Sequence, residues 1–422
     1  MKNVSILILL ALLGLLLSHA PSIAAPAATT IRVAYAYPGI VGNLQKDLAA
    51  SFMIRHPEVH VEIQTPSESY ETLIQSVLRR SLVGDVPDVI FTGFNYLQFL
   101  VDNKLLIPLD AIGVATDWNK LGYSQTARAL GQIDGKTYAI PFAVSVPVVY
   151  FNMKLVRESG WSQPLPESWD GLIALAKRIN APDRNIHGIF YQWDGGGGVW
   201  WQVLVSSFGG HMLTPAGKVA FDDAEGQRAL DALRRLVEEG GMPYITYSQA
   251  SQMFSAGTLG VAMMSSSWMG SYAKSVGSEF PIEVRSFPIA KAGGRVPVTG
   301  NAIAILSKDT QRQQAAWEYL KFLTSMEAQT KMAQDLGSLS MNELAVQPGS
   351  SLQQFYATHP AFGAAAKSLD HVEIGVNFPG ANGVRIASTI KDDLEEVVAR
   401  RNTVQATLAK MTADVAALLP PR

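Results

Sequence analysis

The sequence predicts two α/β lobes, and three observations carry that expectation. Short β-rich runs alternate with helical stretches from residue 31 onward. A strand pattern returns at 299–306, long after the first series has ended. The chain has 422 residues, which is too many for one ordinary hydrophobic core. Strands alternating with helices at this spacing imply right-handed βαβ units and a mainly parallel sheet. A strand that comes back so late implies that the chain crosses between lobes more than once.

The elements follow in order. Lys2 precedes an apolar run over 4–17, and small residues follow at Ser22, Ala24 and Ala25. That layout is expected to be a secretory signal peptide over 1–25, with an apolar core too short to span a bilayer. Cleavage is expected after Ala24 or Ala25, with Ala27 as a later option. Residues 31–37 alternate as a strand, with Ile31, Val33, Tyr35 and Tyr37 on one face. A helix over 41–54 ends at Pro57, a strand covers 59–64, and a helix covers 70–82. The run PDVIF at 87–91 is a third, buried strand. Residues 137–150 are extended but interrupted at Pro141 and Pro147, which exclude a regular central strand, so this run is expected to cross between lobes. Ser168 caps a helix carrying Trp169, Leu172, Leu175 and Ala176 at helical spacing. Residues 224–239 and 311–336 are further amphipathic helical stretches.

Composition narrows the functional classes. Hydrophobic content of 48% with 17% charged residues describes a globular chain. The formal net charge is −2 with basic residues dispersed, which argues against a nucleic-acid partner. There is no cysteine, so neither a disulfide framework nor a lipid-modified cysteine is available. The mature chain is expected to be soluble in a bacterial periplasm and not lipid-anchored.

Catalytic signals are weak. A nucleophile elbow, a phosphate-binding loop and a dinucleotide fingerprint are all missing. His56 and His60 bracket a glutamate in HPEVH, but Pro57 breaks the helix that a two-histidine zinc site would need. No metal, cofactor or catalytic residue is therefore expected. The pairs Asp222–Asp223 and Asp392–Asp393 lie near apparent helix starts, where they complement the helix dipole. Aromatic residues beside turns say more. FYQWDGGGGVWW at 190–201 sets three tryptophans around four glycines, and SSSW at 265–268 sets hydroxyls beside an indole. Flat indoles suit the apolar faces of sugar rings, while Gln192 or Asp194 would meet their hydroxyls. The alternative is that Trp200 and Trp201 open a helix and fill the core, a reading that fits Trp201 best.

Taken together, IRVAYAY, PDVIFTGFN, YAIPFAVSVPVVYFNMKLVRESG, LPESWDGLIALAKRI, MFSAGTLGVAMMSSSW, TGNAIAILS and AAWEYLKFLTSMEAQTKMAQDLGSLSMNELA resemble, in this order, the extracellular solute-binding proteins of ABC importers. YETLIQS and NFPGANGVRIASTIKDDLEEV are similar to the glycerol-3-phosphate-binding members. The resemblance implies a two-lobed periplasmic binding protein fold of type II, with 26–142 plus about 295–325 in one lobe and 143–294 plus about 326–422 in the other. It also implies hinge closure on a ligand, delivery to permease subunits in the membrane, and a monomer.

Position by position, Tyr70, Ser145 and Gly300 match the glycerol-phosphate binders, and Ser267 matches approximately. Phe94 stands where they have a glutamate, Ser338 where they have a tyrosine, and Val376 or Asn377 where they have an arginine. Without that arginine the charge-assisted contact to phosphate is lost. The expected ligand is therefore a neutral sugar or polyol, with glycerol-3-phosphate or a glycerophosphodiester as the alternative. The expected binding set is Tyr37, Tyr70, Phe94, Asn95, Ser145, Trp193, Ser267, Trp268, Gly300, Asn301 and Asn377. Strand C-terminal ends place Tyr37, Phe94 and Asn95 at the cleft. In another class, a secreted glycan-degrading enzyme would need two carboxylates facing each other across the cleft. A metal-binding importer component would need a cluster of His or carboxylates.

Overall fold

β1 (Thr29–Ala34) opens the computed structural model, which describes residues 28–421 apart from 115, 197 and 293. The expected signal peptide over 1–25 lies outside those residues. Alternation in β1 works as the pattern implies: Ile31 and Val33 are fully buried in one core, and Tyr35 follows on the same face. α1 (Pro38–Arg55) comes next, with Pro38 in its first turn, where the missing N–H would have had no helical partner. β2 (Val59–Ile63), α2 (Tyr70–Ser81) and β3 (Val89–Gly93) complete two βαβ units. β1 lies between β2 and β3 and is parallel to both.

The proline-marked run departs from expectation. It forms two strands, β4 (Ala139–Ser145) and β5 (Pro147–Asn152), in different sheets and separated only by Val146. The crossing between lobes is real, but the prolines do not exclude strands. β4 is an edge strand of its sheet, and its register breaks next to Pro141. Pro147 is the first residue of β5. Edges, bulges and first positions are where a missing N–H removes no ladder bond. β5 itself is an interior strand.

The second sheet adds β6 (His187–Tyr191), β7 (Leu259–Ser265) and β8 (Ile282–Ser286) in the order β8-β5-β7-β6. β9 (Thr299–Ile305) then returns to the first sheet between β3 and β4, giving β2-β1-β3-β9-β4. β9 is antiparallel to both neighbours, and in the second sheet only β6 and β7 run parallel. The sheets are therefore mixed, which corrects the mainly parallel expectation. The cause lies in the path of the chain. β1 and β3 end at the gap between the sheets, whereas a strand arriving from the other lobe must start there.

Helices complete the two cores. The helical stretch expected over 311–336 consists of two helices, Thr310–Leu323 and Met326–Leu336. They are parted where Ser325 Oγ accepts from the Ala328 N–H and starts the second. Met332 and Leu336 are buried in the core of the first sheet with Trp317 and Leu320, so the second helix packs with the first lobe, while its C-terminal end also abuts Gly270 of the second. The C-terminal helices Gly383–Val398 and Val404–Leu418 bury Ile390, Leu394, Met411 and Val415 in the core of the second sheet. Each such side chain contributes roughly 1.5–3 kcal/mol of burial. Ser168 and Asp223 cap their helices as expected, accepting from Gly171 N and Gly226 N. Asp392 and Asp393 do not start a helix. They lie within Gly383–Val398, where Asp393 is 1% exposed and ion-paired to Lys410 at 2.6 Å.

Candidate functional site

β1 and β3 point their C-terminal ends into the gap between the sheets, β4 ends there and β9 begins there. A cavity of about 1020 Å3, its solvent-open part included, occupies that place. The first lobe supplies Tyr37, Tyr70, Phe94, Asn95, Ser145, Gly300 and Asn301 to its wall. The second lobe supplies Ser267 and Trp268 just after β7, and Asn377 near the C-terminal helices. Ten of the eleven expected residues thus meet at one cavity.

Local structure accounts for each placement. Tyr37 sits between β1 and α1 with left-handed dihedrals of φ 62° and ψ 59°. That conformation is costly for a large side chain and persists only where its surroundings enforce it. Here the Tyr37 ring packs edge-on against Tyr70 at 4.9 Å and against Tyr247 at 6.0 Å. Tyr70 is the first residue of α2, held by the reciprocal capping of Ser69 and Thr72. Phe94 and Asn95 occupy a 3-10 turn after β3. The Ser145 hydroxyl is paired with that of Ser338 at 2.9 Å, and that of Ser265 with Ser267 at 2.9 Å.

Trp193 is the exception. It is 5% exposed, donates its indole N–H to the Ile245 carbonyl at 3.2 Å and faces Tyr244, away from the cavity. Trp200, the next indole after the glycines, lines the cavity instead, and Trp201 is fully buried in the core. Asp194 is not part of the wall either. Its two oxygens both accept the Tyr247 N–H at 3.0 Å, which fixes the start of the helix Tyr247–Ser255. Sequence reasoning left out Tyr247, Gln202 and Thr299, all of which line the cavity. The pattern Thr246-to-Gln249 marks a helix start, but nothing local in it says which way Tyr247 faces.

The two lobes touch across the cavity. Asn95 Nδ2 donates to the Gly196 carbonyl at 3.1 Å, and the Tyr247 hydroxyl donates to the Glu68 carbonyl at 3.3 Å. Ser388 bonds the Glu71 carboxylate. Asn377, with its amide nitrogen turned to the first lobe, donates to the carbonyls of Phe94 at 2.8 Å and Asn95 at 3.0 Å. These contacts describe lobes closed on the cavity. Burial, with Tyr247 adding to it, holds the Tyr37 hydroxyl well above its ordinary value. Burial, followed by the Asp194 charge, pushes Tyr247 up to about 12. Both phenols are neutral hydrogen-bonding groups at physiological pH.

Asp194 gives the folded protein a pH signature. Burial pushes its carboxyl up to about 6, against the opposing effects of its backbone donors and Lys391. An unfolded aspartate titrates near about 3.9, so the folded protein holds this proton more tightly. The stability it contributes is fully present below about pH 4 and is lost as pH rises through about 6, a change of about 3 kcal/mol by linkage. Urea unfolding between pH 4.5 and 7 should show that loss in the wild type and a flatter profile in Asp194→Asn. Identical pH slopes would contradict the assignment.

A model of the bacterial extracellular solute-binding proteins matches residues 37–330. The chain belongs to that family. Over 312 residues it is 22% identical to a putative binding protein of Brucella abortus, covering 73% of this chain and 74% of that protein. UgpB from Mycobacterium tuberculosis in complex with glycerophosphocholine superposes with a TM-score of 0.81 at 20% identity, covering 93% of this chain and 98% of that one. Maltose-bound MalE3 of T. maritima superposes at 0.80 with 19% identity, covering 93% and 100%. The two-lobed α/β architecture is thus that of periplasmic binding proteins. The family is one of extracellular binding proteins that serve importers rather than of enzymes.

Proposed function

We infer that this solute-binding protein takes up an uncharged sugar or polyol between its lobes in the periplasm and presents it to the permease of an ABC importer. One observation carries the choice of ligand. Among the described residues that line the cavity, none is Asp, Glu, Lys, Arg or His. A phosphate buried there without a cation would bear an uncompensated desolvation cost. Arg385, the nearest cationic candidate in the C-terminal motif, is exposed and is not among the lining residues. The wall pairs aromatic faces with hydroxyls and amides, the combination that a polyhydroxylated ring requires. Glycan hydrolysis would need two carboxyl groups flanking the bond, and the lining offers none. Maltose in the MalE3 neighbour supports the sugar reading. Glycerophosphocholine in the UgpB neighbour is the competing chemistry.

Binding acts through closure, because contacts from both lobes stabilise the closed form and the open form lacks them. Calorimetry on the full mature protein with mono- and disaccharides, polyols, glycerol-3-phosphate and glycerophosphocholine tests the reading. A neutral compound should bind most tightly and reduce the radius of gyration in solution scattering. Micromolar binding of a phosphate-bearing compound, with no neutral compound bound, would reverse the assignment.

A further inference from the structure

We propose that Asn301 is the specificity-determining residue of the cleft: its Oδ1 accepts a hydroxyl of the bound sugar or polyol and turns away ligands that present only acceptors at that point. The proposal rests on the neutral-ligand reading and deepens it.

The backbone is built to bring Asn301 to the cavity wall. Gly300 has φ 113°, and a Cβ there would stand 2.0 Å from the Ala143 carbonyl oxygen. Only glycine allows β9 and β4 to approach so closely. The register between these strands then shifts between Asn301 and Ala302, beside Pro141, which has no N–H to give. Irregularities of this kind re-aim a side chain next to a site. Asn301 pairs with Gly93 at the cleft end of β3 and lines the cavity.

Its chemistry is half used. Asn301 is 7% exposed, and its Oδ1 has no hydrogen-bond partner. Burial raises the Tyr70 phenol, and the neighbouring Asn301 side chain opposes that rise. A buried acceptor without a donor is rare in native structures and calls for an explanation. A ligand hydroxyl supplies the missing donor. A carboxylate or a phosphate dianion has only acceptors and would set lone pair against lone pair. The hydroxyls of Ser145 and Ser267 can rotate to donate or accept and discriminate less; a fixed amide oxygen cannot. Sites that hydrogen-bond a ligand hydroxyl reject analogues lacking it far more strongly than apolar pockets reject a missing methylene.

The test pairs Asn301→Leu with a deoxy series of the tightest ligand found for the wild type, together with the ligand-free melting temperature. Asn301→Leu should lower affinity about ten- to hundredfold. It should also become indifferent to the loss of one ligand hydroxyl that the wild type needs, a non-additive cycle that a general packing defect does not produce. The ligand-free melting temperature should hold or rise, because an unpaired buried acceptor has been removed. Additive losses at every hydroxyl would overturn the proposal. So would a lower melting temperature in both Asn301→Leu and Asn301→Ala, since Asn301 would then serve only to hold Tyr70. If a glycerol phosphate proves to be the ligand, the neutral reading fails alone, and the same cycle on the glycerol hydroxyls judges Asn301. If the wild type binds no compound, both readings fall.

Discussion

Gly300→Ala should abolish tight ligand binding and destabilise the protein by about 4 kcal/mol or more, at the exceptional end of single substitutions. Two causes act together. The backbone at 300 has φ 113°, outside the range that side chains with a Cβ ordinarily adopt, and the added carbon would lie 2.0 Å from Ala143 O and 3.1 Å from Ser145 N. Those are backbone atoms, which cannot swing aside, so relief requires β9 to separate from β4. That separation would move Ser145 and Asn301, two residues of the cavity wall, in a single displacement. Gly349→Ala is the control. Its φ is 84°, but no atom lies within 4 Å of the new carbon. It should therefore show the backbone strain alone, about 1–2 kcal/mol. Urea unfolding of both variants reads the difference, and equal losses would mean that the β4–β9 approach places no special demand on residue 300.

Trp268→Ala and Trp193→Ala should separate binding from stability. Both indoles are nearly buried, and truncating either should cost roughly 3–5 kcal/mol of folding free energy. Trp268 lines the cavity, stacks on Tyr272 at 5.8 Å and lies 6.2 Å from Tyr247, so its loss should also weaken ligand binding by roughly 1–3 kcal/mol. Trp193 directs its N–H to Ile245 O and its face to Tyr244, outside the cavity. Below its melting transition, Trp193→Ala should bind the ligand as the wild type does. A comparable loss of affinity in both variants would return Trp193 to the ligand.

What was legible in the chain was whatever has a short-range cause. Alternation in β1, the caps at Ser168 and Asp223 and the βαβ order of the first lobe depend on residues within a turn or two. The same locality explains why strand-end positions such as Phe94, Asn95 and Ser267 could be placed at a cleft. It also explains the errors. Whether Pro141 and Pro147 are tolerated depends on which side of a strand is paired, and that is known only once the sheet is assembled. Within FYQWDGGGGVWW, the turns at Gly196 and Gly198, with φ 72° and 80°, decide that Trp200 rather than Trp193 meets the cavity. Four glycines in a row leave that choice open.

By itself the sequence determined the two-lobed α/β architecture and the return of a late strand to the first lobe. These follow from periodicity and from proline and glycine placement, neither of which needs a partner to be read. Only the tertiary structure decided the antiparallel insertion of β9, the packing of Met326–Leu336 with the first lobe, and the position of Tyr247 opposite Tyr37. Tyr247 lies far along the chain from Tyr37 and reaches it because Asp194 holds its backbone and the lobes close. A contact of that kind arises from the burial of surfaces distant in sequence, and no local pattern encodes it.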